Sequence, residues 1–175
     1  MLAAAAVALA LVLLAVGALL GGWRPVGTTV AVRTFGPGGD MAAFTLFEGQ
    51  CASGDLSGDS GFGTESDTPC GDPHDVEVVA TTATLDEARS VAYPGEAVLA
   101  RFARAYCAMV VDSAELAPEA AGVSKDDLDV TAVIPDEAAF ASPQTAAASS
   151  SGSRQVACAI SRSGGDKLGD RFSVI

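Results

Sequence analysis

The chain of 175 residues is acidic, with 22 Asp and Glu against 10 Lys and Arg and a net charge of −12. Arg24, Arg33 and Asp40 leave the first forty residues at +1, so the rest carries −13, a charge that repels phosphate backbones and anionic lipid headgroups and argues against a nucleic-acid partner. The length suits one membrane segment and one domain large enough to bury a core without metal or oligomerisation.

Residues 1–20 form one uncharged apolar run, and about 20 such residues cross a bilayer core as a helix. Trp23 follows where an interfacial aromatic belongs. A cleaved signal peptide, with Val16 and Ala18 near its cleavage site, is the alternative, but the run exceeds the roughly 7 to 15 residues of a signal's apolar region. Residues 1–22 are therefore expected to be a transmembrane anchor. No Lys or Arg precedes the run while Arg24 and Arg33 follow it, which by charge alone opposes an outside C-terminus. The four cysteines outweigh that bias, because disulfides persist outside the cytoplasm. The expected location is the cell membrane, single-pass, with the C-terminal domain outside.

Residues 23–43, with Gly36-Pro37-Gly38-Gly39, read as a linker. The domain is expected over 44–162. Phe44, Leu46 and Phe47 suggest a first strand that ends at a turn, and the polar stretch 52–69 suggests an exposed loop. Val76, Val78 and Ala80 alternate with Glu77, Val79 and Thr81, predicting a half-buried strand. A helix is expected from Pro94 to Val111, with Pro94 in its first turn, Glu96 at the positive end of its dipole, and a buried stripe of Leu99, Phe102, Tyr106, Met109 and Val110. Further strands are expected at Asp129–Ile134 and Gln155–Ile160, the second with Val156, Cys158 and Ile160 on one face. Residues 163–175 read as a tail with an apolar end at Phe172, Val174 and Ile175, for which disorder is the default and a last strand or a partner contact the alternative. The fold class is α+β: one main helix on a small antiparallel sheet of about three to five strands, stapled by disulfides and preceded by a transmembrane helix.

Cys51, Cys70, Cys107 and Cys158 permit three connectivities, and sequence alone does not select one. If Cys158 faces the helix, it favours Cys107 as partner and leaves Cys51 to Cys70. On the chain-entropy model the two bonds would stabilise by about 4 and about 3 kcal/mol.

Gly49-Gln50-Cys51, the segment Pro69-Cys70-Gly71-Asp72-Pro73-His74-Asp75-Val76-Glu77-Val78, Tyr93-Pro94-Gly95, Cys107, Pro135 and Cys158 follow one another over residues 44–160. In this order they resemble the septum formation domain of actinobacterial membrane proteins. The Cys-x-x-Pro-His-x-x-Glu segment followed by Tyr-Pro-Gly is the distinctive part. The resemblance implies a membrane-tethered, non-catalytic module tied to septation and cell division; no cofactor is expected, and the even cysteine count argues against a metal. Its partners would be envelope or division proteins or the cell wall. It marks Pro73, His74, Glu77, Tyr93, Pro94 and Gly95 as structural motif residues. The chain departs from the family pattern at Gln50, where Asp is usual, at Phe140, near an expected Trp, and in an Ala/Ser-rich insertion from Ser142 to Ser153.

Sharper readings of individual residues are weaker. Gly58-Asp59-Ser60-Gly61 matches the surroundings of a serine-protease nucleophile, but a triad needs a His before that Ser, and the chain's one His is His74. Asp55, Ser57 and Asp59 mimic the start of an EF-hand loop, yet Ser60 and Ser66 stand where its Gly and Glu belong. Cys70 and His74 could begin a zinc site only at the expense of disulfides. The favoured role of His74 is structural, with a ring nitrogen bonded to backbone or to Glu77. An extracytoplasmic thiol or hydrolytic enzyme, or a general envelope or secreted structural domain, are the alternatives to the septation module.

Overall fold

The computed structural model describes residues 28–82, 92–113, 122–141 and 154–172. The apolar run 1–20, the insertion 142–153 and the end of the chain lie outside these. Among the described residues, no helix is long and apolar enough to cross a membrane.

The architecture is α+β. Strands β1 (Val30–Phe35), β2 (Cys51–Ala52), β3 (Asp67–Thr68) and β4 (Val76–Thr81) precede helix α1 (Glu96–Asp112). Strand β5 (Leu128–Pro135), the short helix α2 (Glu137–Ala141) and strand β6 (Ala157–Arg162) follow. The strands form one sheet in the order β1-β5-β6-β4-β2-β3.

Two expectations change here. Among the described residues the sheet is mixed and has six strands, because the expected linker contains β1, which lies parallel to β5 with Val30 opposite Val130. Val30 and Thr34 are buried, and β-branched Val30, Val32 and Thr34 occupy alternate positions of the strand that pairs. The remaining pairs are antiparallel. Conversely, Phe44 to Phe47 form no strand: Phe44 makes only an isolated bridge to Phe62. Beyond β1, the chain turns at Gly36, where φ is 127° and an added Cβ would run into the Asp136 carboxylate. That carboxylate accepts the Gly38 N–H at 2.6 Å and caps α2 through the Ala139 N–H at 2.6 Å.

Strand β4 is buried along both faces rather than one. On one face α1 packs, and Leu128, Val130, Ala132 and Ile134 of β5 join Cys158 and Ile160 of β6 beneath it. On the other face Met41, Phe44, Leu46, Leu56 and Phe62 from loops cover Val76, Val78, Val133, Ala157 and Ala159. The stretch 52–69 is thus no mere exposed loop, since it supplies Leu56 and Phe62 to this second core. Arg33 holds it with Nη2 donating to the carbonyls of Ser57 at 3.0 Å and Gly58 at 2.9 Å. A register shift between Val78 and Ala80 places Val79 and Ala80 together on the α1 side.

Helix α1 begins after Pro94, with Gly95 as its N-cap, and buries a stripe that keeps Leu99 of the expected one, leaves Tyr106 and Val110 partly buried at its border, and excludes Phe102 and Met109. Leu99, Ala100, Ala103, Cys107 and Val111 face the sheet, whereas Phe102 is 45% and Met109 63% exposed. Small side chains let the helix axis approach the sheet closely, so the alanines rather than the largest apolar residues mark the inner face. Arg101 and Arg104 are exposed.

The described part of the tail, through Phe172, packs against the domain. His74 and Leu168 exchange backbone hydrogen bonds of 3.0 and 2.8 Å, and both Leu168 and Phe172 are buried against the α1-side core. The hydrophobic gain from two large buried side chains, about 1.5 to 3 kcal/mol each, is what disorder would forfeit.

Candidate functional site

Two disulfides close the chain: Cys51–Cys70 and Cys107–Cys158. All four cysteines are paired, in the favoured connectivity. Cys107 and Cys158 are both fully buried and sit between α1 and β6 amid aliphatic side chains. Cys51 is buried at the start of β2, while Cys70 is half-buried at the end of the loop it closes.

Polar chemistry gathers around Cys51. The register of β2 on β4 sets Cys51 opposite Glu77, which puts the sulfur and the carboxylate on one face of neighbouring strands. Pro69 and Asp72 close a turn, the Asp72 N–H donating to the Pro69 carbonyl at 2.9 Å. Pro73 follows, exposed, and delivers His74 to the start of β4. His74 and Glu77 are both 0% exposed. Donor atoms of Cys51, His74 and Glu77 all lie within 4.8 Å of one another, the one such set of three metal-capable side chains found among the described residues.

The hydrogen bonds define the imidazole's state. His74 Nδ1 lies 2.8 Å from the Asp72 carbonyl oxygen. A carbonyl only accepts, so Nδ1 carries the proton and, in the neutral ring, Nε2 presents its lone pair. Nε2 is buried and has no hydrogen-bond partner. The expected backbone bond is therefore present on one nitrogen, and the other is left over. Glu77 accepts the backbone N–H of Phe172 at 2.8 Å. Arg171 completes the surroundings: its Nη2 donates to the Gly49 carbonyl at 2.9 Å and lies 3.8 Å from Cys70 Sγ. Sequence reasoning missed Arg171 and Phe172, which lie in the supposed tail; the apolar end was visible, but nothing local says that it folds back.

Gln50 closes the turn before Cys51, with its side-chain carbonyl accepting the Phe47 N–H at 3.0 Å. The other motif residues belong to a different cluster. Tyr93 packs on Phe140 with ring centroids 5.4 Å apart, and the Arg154 guanidinium lies 5.2 Å from the centre of the Phe140 ring. Burial, then the Glu96, Asp136 and Glu137 carboxylates, raise the Tyr93 hydroxyl above its ordinary pKa. Pro94 precedes α1, and the carbonyl of its N-cap Gly95 accepts the Val98 and Leu99 N–H groups at 3.2 and 3.1 Å, which opens the helix.

A cleft of about 540 Å³ lies elsewhere, lined in part by Asp55, Asp75, Asp129, Arg162 and Asp166. Burial raises the Asp75 carboxyl, but the Lys167 ammonium at 2.6 Å and the Gly54 N–H at 2.8 Å outweigh it and hold the pKa below the usual carboxylate value. Asp55 is lowered by the Ser57 hydroxyl and backbone N–H, which turn its carboxylate onto its own loop. It therefore does not converge with Asp59 as an EF-hand would require. Ser60 of the Gly-Asp-Ser-Gly stretch is exposed, and buried His74 uses Nδ1 on the Asp72 carbonyl.

Comparison with family models, curated proteins and solved structures finds no match to this chain.

Proposed function

We propose that this chain is a membrane-tethered, non-catalytic extracytoplasmic module of septum formation that works by contact with another envelope protein. The observation that carries the contact is the outward face of α1. Val98, Phe102 and Met109 are 54%, 45% and 63% exposed and fall on one stripe at helical spacing. A contiguous apolar stripe on a domain surface is characteristic of a protein contact. Exposed Arg101 and Arg104 accompany the stripe, so it favours an apolar ridge with carboxylates at its edge. The paired cysteines support an oxidising compartment, and the apolar run 1–20 supports the tether. The septation assignment rests on the family resemblance of the Pro73-His74, Glu77 and Tyr93-Pro94-Gly95 pattern.

The test is a C-terminal fusion to a fluorescent protein that matures outside the cytoplasm, imaged at native expression in dividing cells of the source organism. Midcell enrichment is expected in the parent chain and loss of it in Phe102→Ser/Met109→Ser at equal abundance. A uniform envelope signal from the parent would overturn the septation role. Midcell signal retained by the double variant would overturn the helix as the contact.

A further inference from the structure

We propose that Cys51, His74 and Glu77 form a divalent-metal site, of the zinc class, that opens when the Cys51–Cys70 disulfide is reduced. The inference does not depend on where the domain works. Its first support is proximity: sulfur, imidazole nitrogen and carboxylate oxygen lie within 4.8 Å of one another in a fully buried setting. Tetrahedral zinc has Zn–S of about 2.3 Å and Zn–N and Zn–O of about 2.0 to 2.2 Å, which places neighbouring donors roughly 3.3 to 3.6 Å apart. Once the covalent link to Cys70 is gone, rotation of the Cys51 side chain covers the difference.

The second support is the unsatisfied atom. His74 Nε2 has no hydrogen-bond partner in a residue that is 0% exposed, an arrangement that costs stability unless something occupies it. The other nitrogen is bonded to the Asp72 carbonyl. This is the arrangement that orients metal-bound imidazoles: one N–H fixed by a backbone carbonyl, the opposite lone pair free for the ion. Glu77 is similarly held, by the Phe172 N–H.

The chemistry balances with a dithiol as reductant. Its thiolate attacks Sγ of Cys70, the less buried of the two cysteines, and the Cys51–Cys70 bond breaks with Cys51 leaving as thiolate. The second thiol of the reductant then displaces Cys70, giving a reductant disulfide and two protein thiols. Two electrons pass from the dithiol to the protein. The metal takes the Cys51 thiolate, neutral His74 and the Glu77 carboxylate, and one thiol proton is released to solvent. The fourth position is left to water or to Cys70. Cys107 and Cys158, both 0% exposed, stay paired under the same mild treatment.

The test uses Co2+ as the probe on the full chain in detergent, after removal of the reductant under nitrogen and with the surviving Cys107–Cys158 bond checked by mass mapping. The reduced parent is expected to bind Co2+ at least roughly 100-fold more tightly than the oxidised one, with a sulfur-to-cobalt charge-transfer band and tetrahedral visible absorption. Cys70→Ser is expected to bind without any reduction, because it frees the Cys51 thiol. His74→Gln or Glu77→Gln in that background is expected to weaken binding about 100-fold or more, since even outer partners of a metal site are worth 10- to 100-fold. If either of those variants loses its circular-dichroism signature, the comparison of Cys70→Ser with Cys51→Ser decides. Equal Co2+ binding by those two would overturn the proposal, as would absence of the charge-transfer band in Cys70→Ser.

Discussion

The two disulfides occupy opposite environments, although each joins a strand to another element. Cys107–Cys158 is enclosed by aliphatic side chains of α1, β5 and β6, and the one metal-capable set of side chains among the described residues does not include it. Cys51–Cys70 has an imidazole, a carboxylate and a guanidinium about it, and one of its two residues, Cys70, is only half-buried. The same covalent bond is thus a plain cross-link in one place and a chemically surrounded one in the other. The lesson is that a cysteine pair is assigned a role by its neighbours, not by its spacing.

The comparison can be broken most directly by deleting each staple. Cys107→Ala/Cys158→Ala should cost about 4 kcal/mol by loop entropy alone, read as a lower urea midpoint. Cys51→Ala/Cys70→Ala should cost about 3 kcal/mol, and an equal or larger loss there would mean that the polar rim is the principal clamp. Under increasing dithiol, alkylation and mass mapping should find Cys51 and Cys70 modified first. The reverse order would remove the distinction. His74→Gln should lower stability by about 1 to 3 kcal/mol without abolishing the fold, because the Asp72 carbonyl is left short of its donor.

The smallest effect sharpens the polar side. The Asp75 pKa is held below its unfolded value of about 3.9, so its contribution is present above that pH and disappears as pH falls through the lower folded value. Lys167→Met should therefore cost less than about 1 kcal/mol at neutral pH, given the exposure of the pair. Acid titration of unfolding should show parent and variant converging once pH has fallen through the lower folded value, where the carboxyl is protonated in both. A difference that persists there would assign the Lys167 contribution to packing instead.

The regular elements were legible where the pattern was local. Strands β4, β5 and β6 and helix α1 lie within a few residues of their expected positions, because β-branched runs and a Pro-Gly helix start are local signals. The orientation of α1 was not, since Ala100 and Ala103 carry a weaker hydropathy signal than Phe102 and Met109 and only the sheet's proximity selects them. Strand β1 was hidden for a related reason: an edge strand whose partner lies far along the chain is flanked by turn residues and resembles a linker. At the candidate site, Cys51, His74 and Glu77 stood out in the sequence, and the opposed register that joins them did not. Arg171 and Phe172 reach the site only through the return of the chain past Leu168.

That return has a kinetic meaning. Val30 must wait for Val130 before β1 has a partner, and His74 and Glu77 must wait for Leu168 and Phe172. A polypeptide synthesised from its N-terminus makes these bonds only after most of it is available, and pairings between distant positions are the slow ones, formed in milliseconds to seconds in sheet-rich domains. During that interval the Cys51 and Cys70 thiols, close together in the chain, can meet long before the sheet is complete. Oxidation of the near pair first, followed by closure of the far ends over it, is the assembly order that this topology imposes.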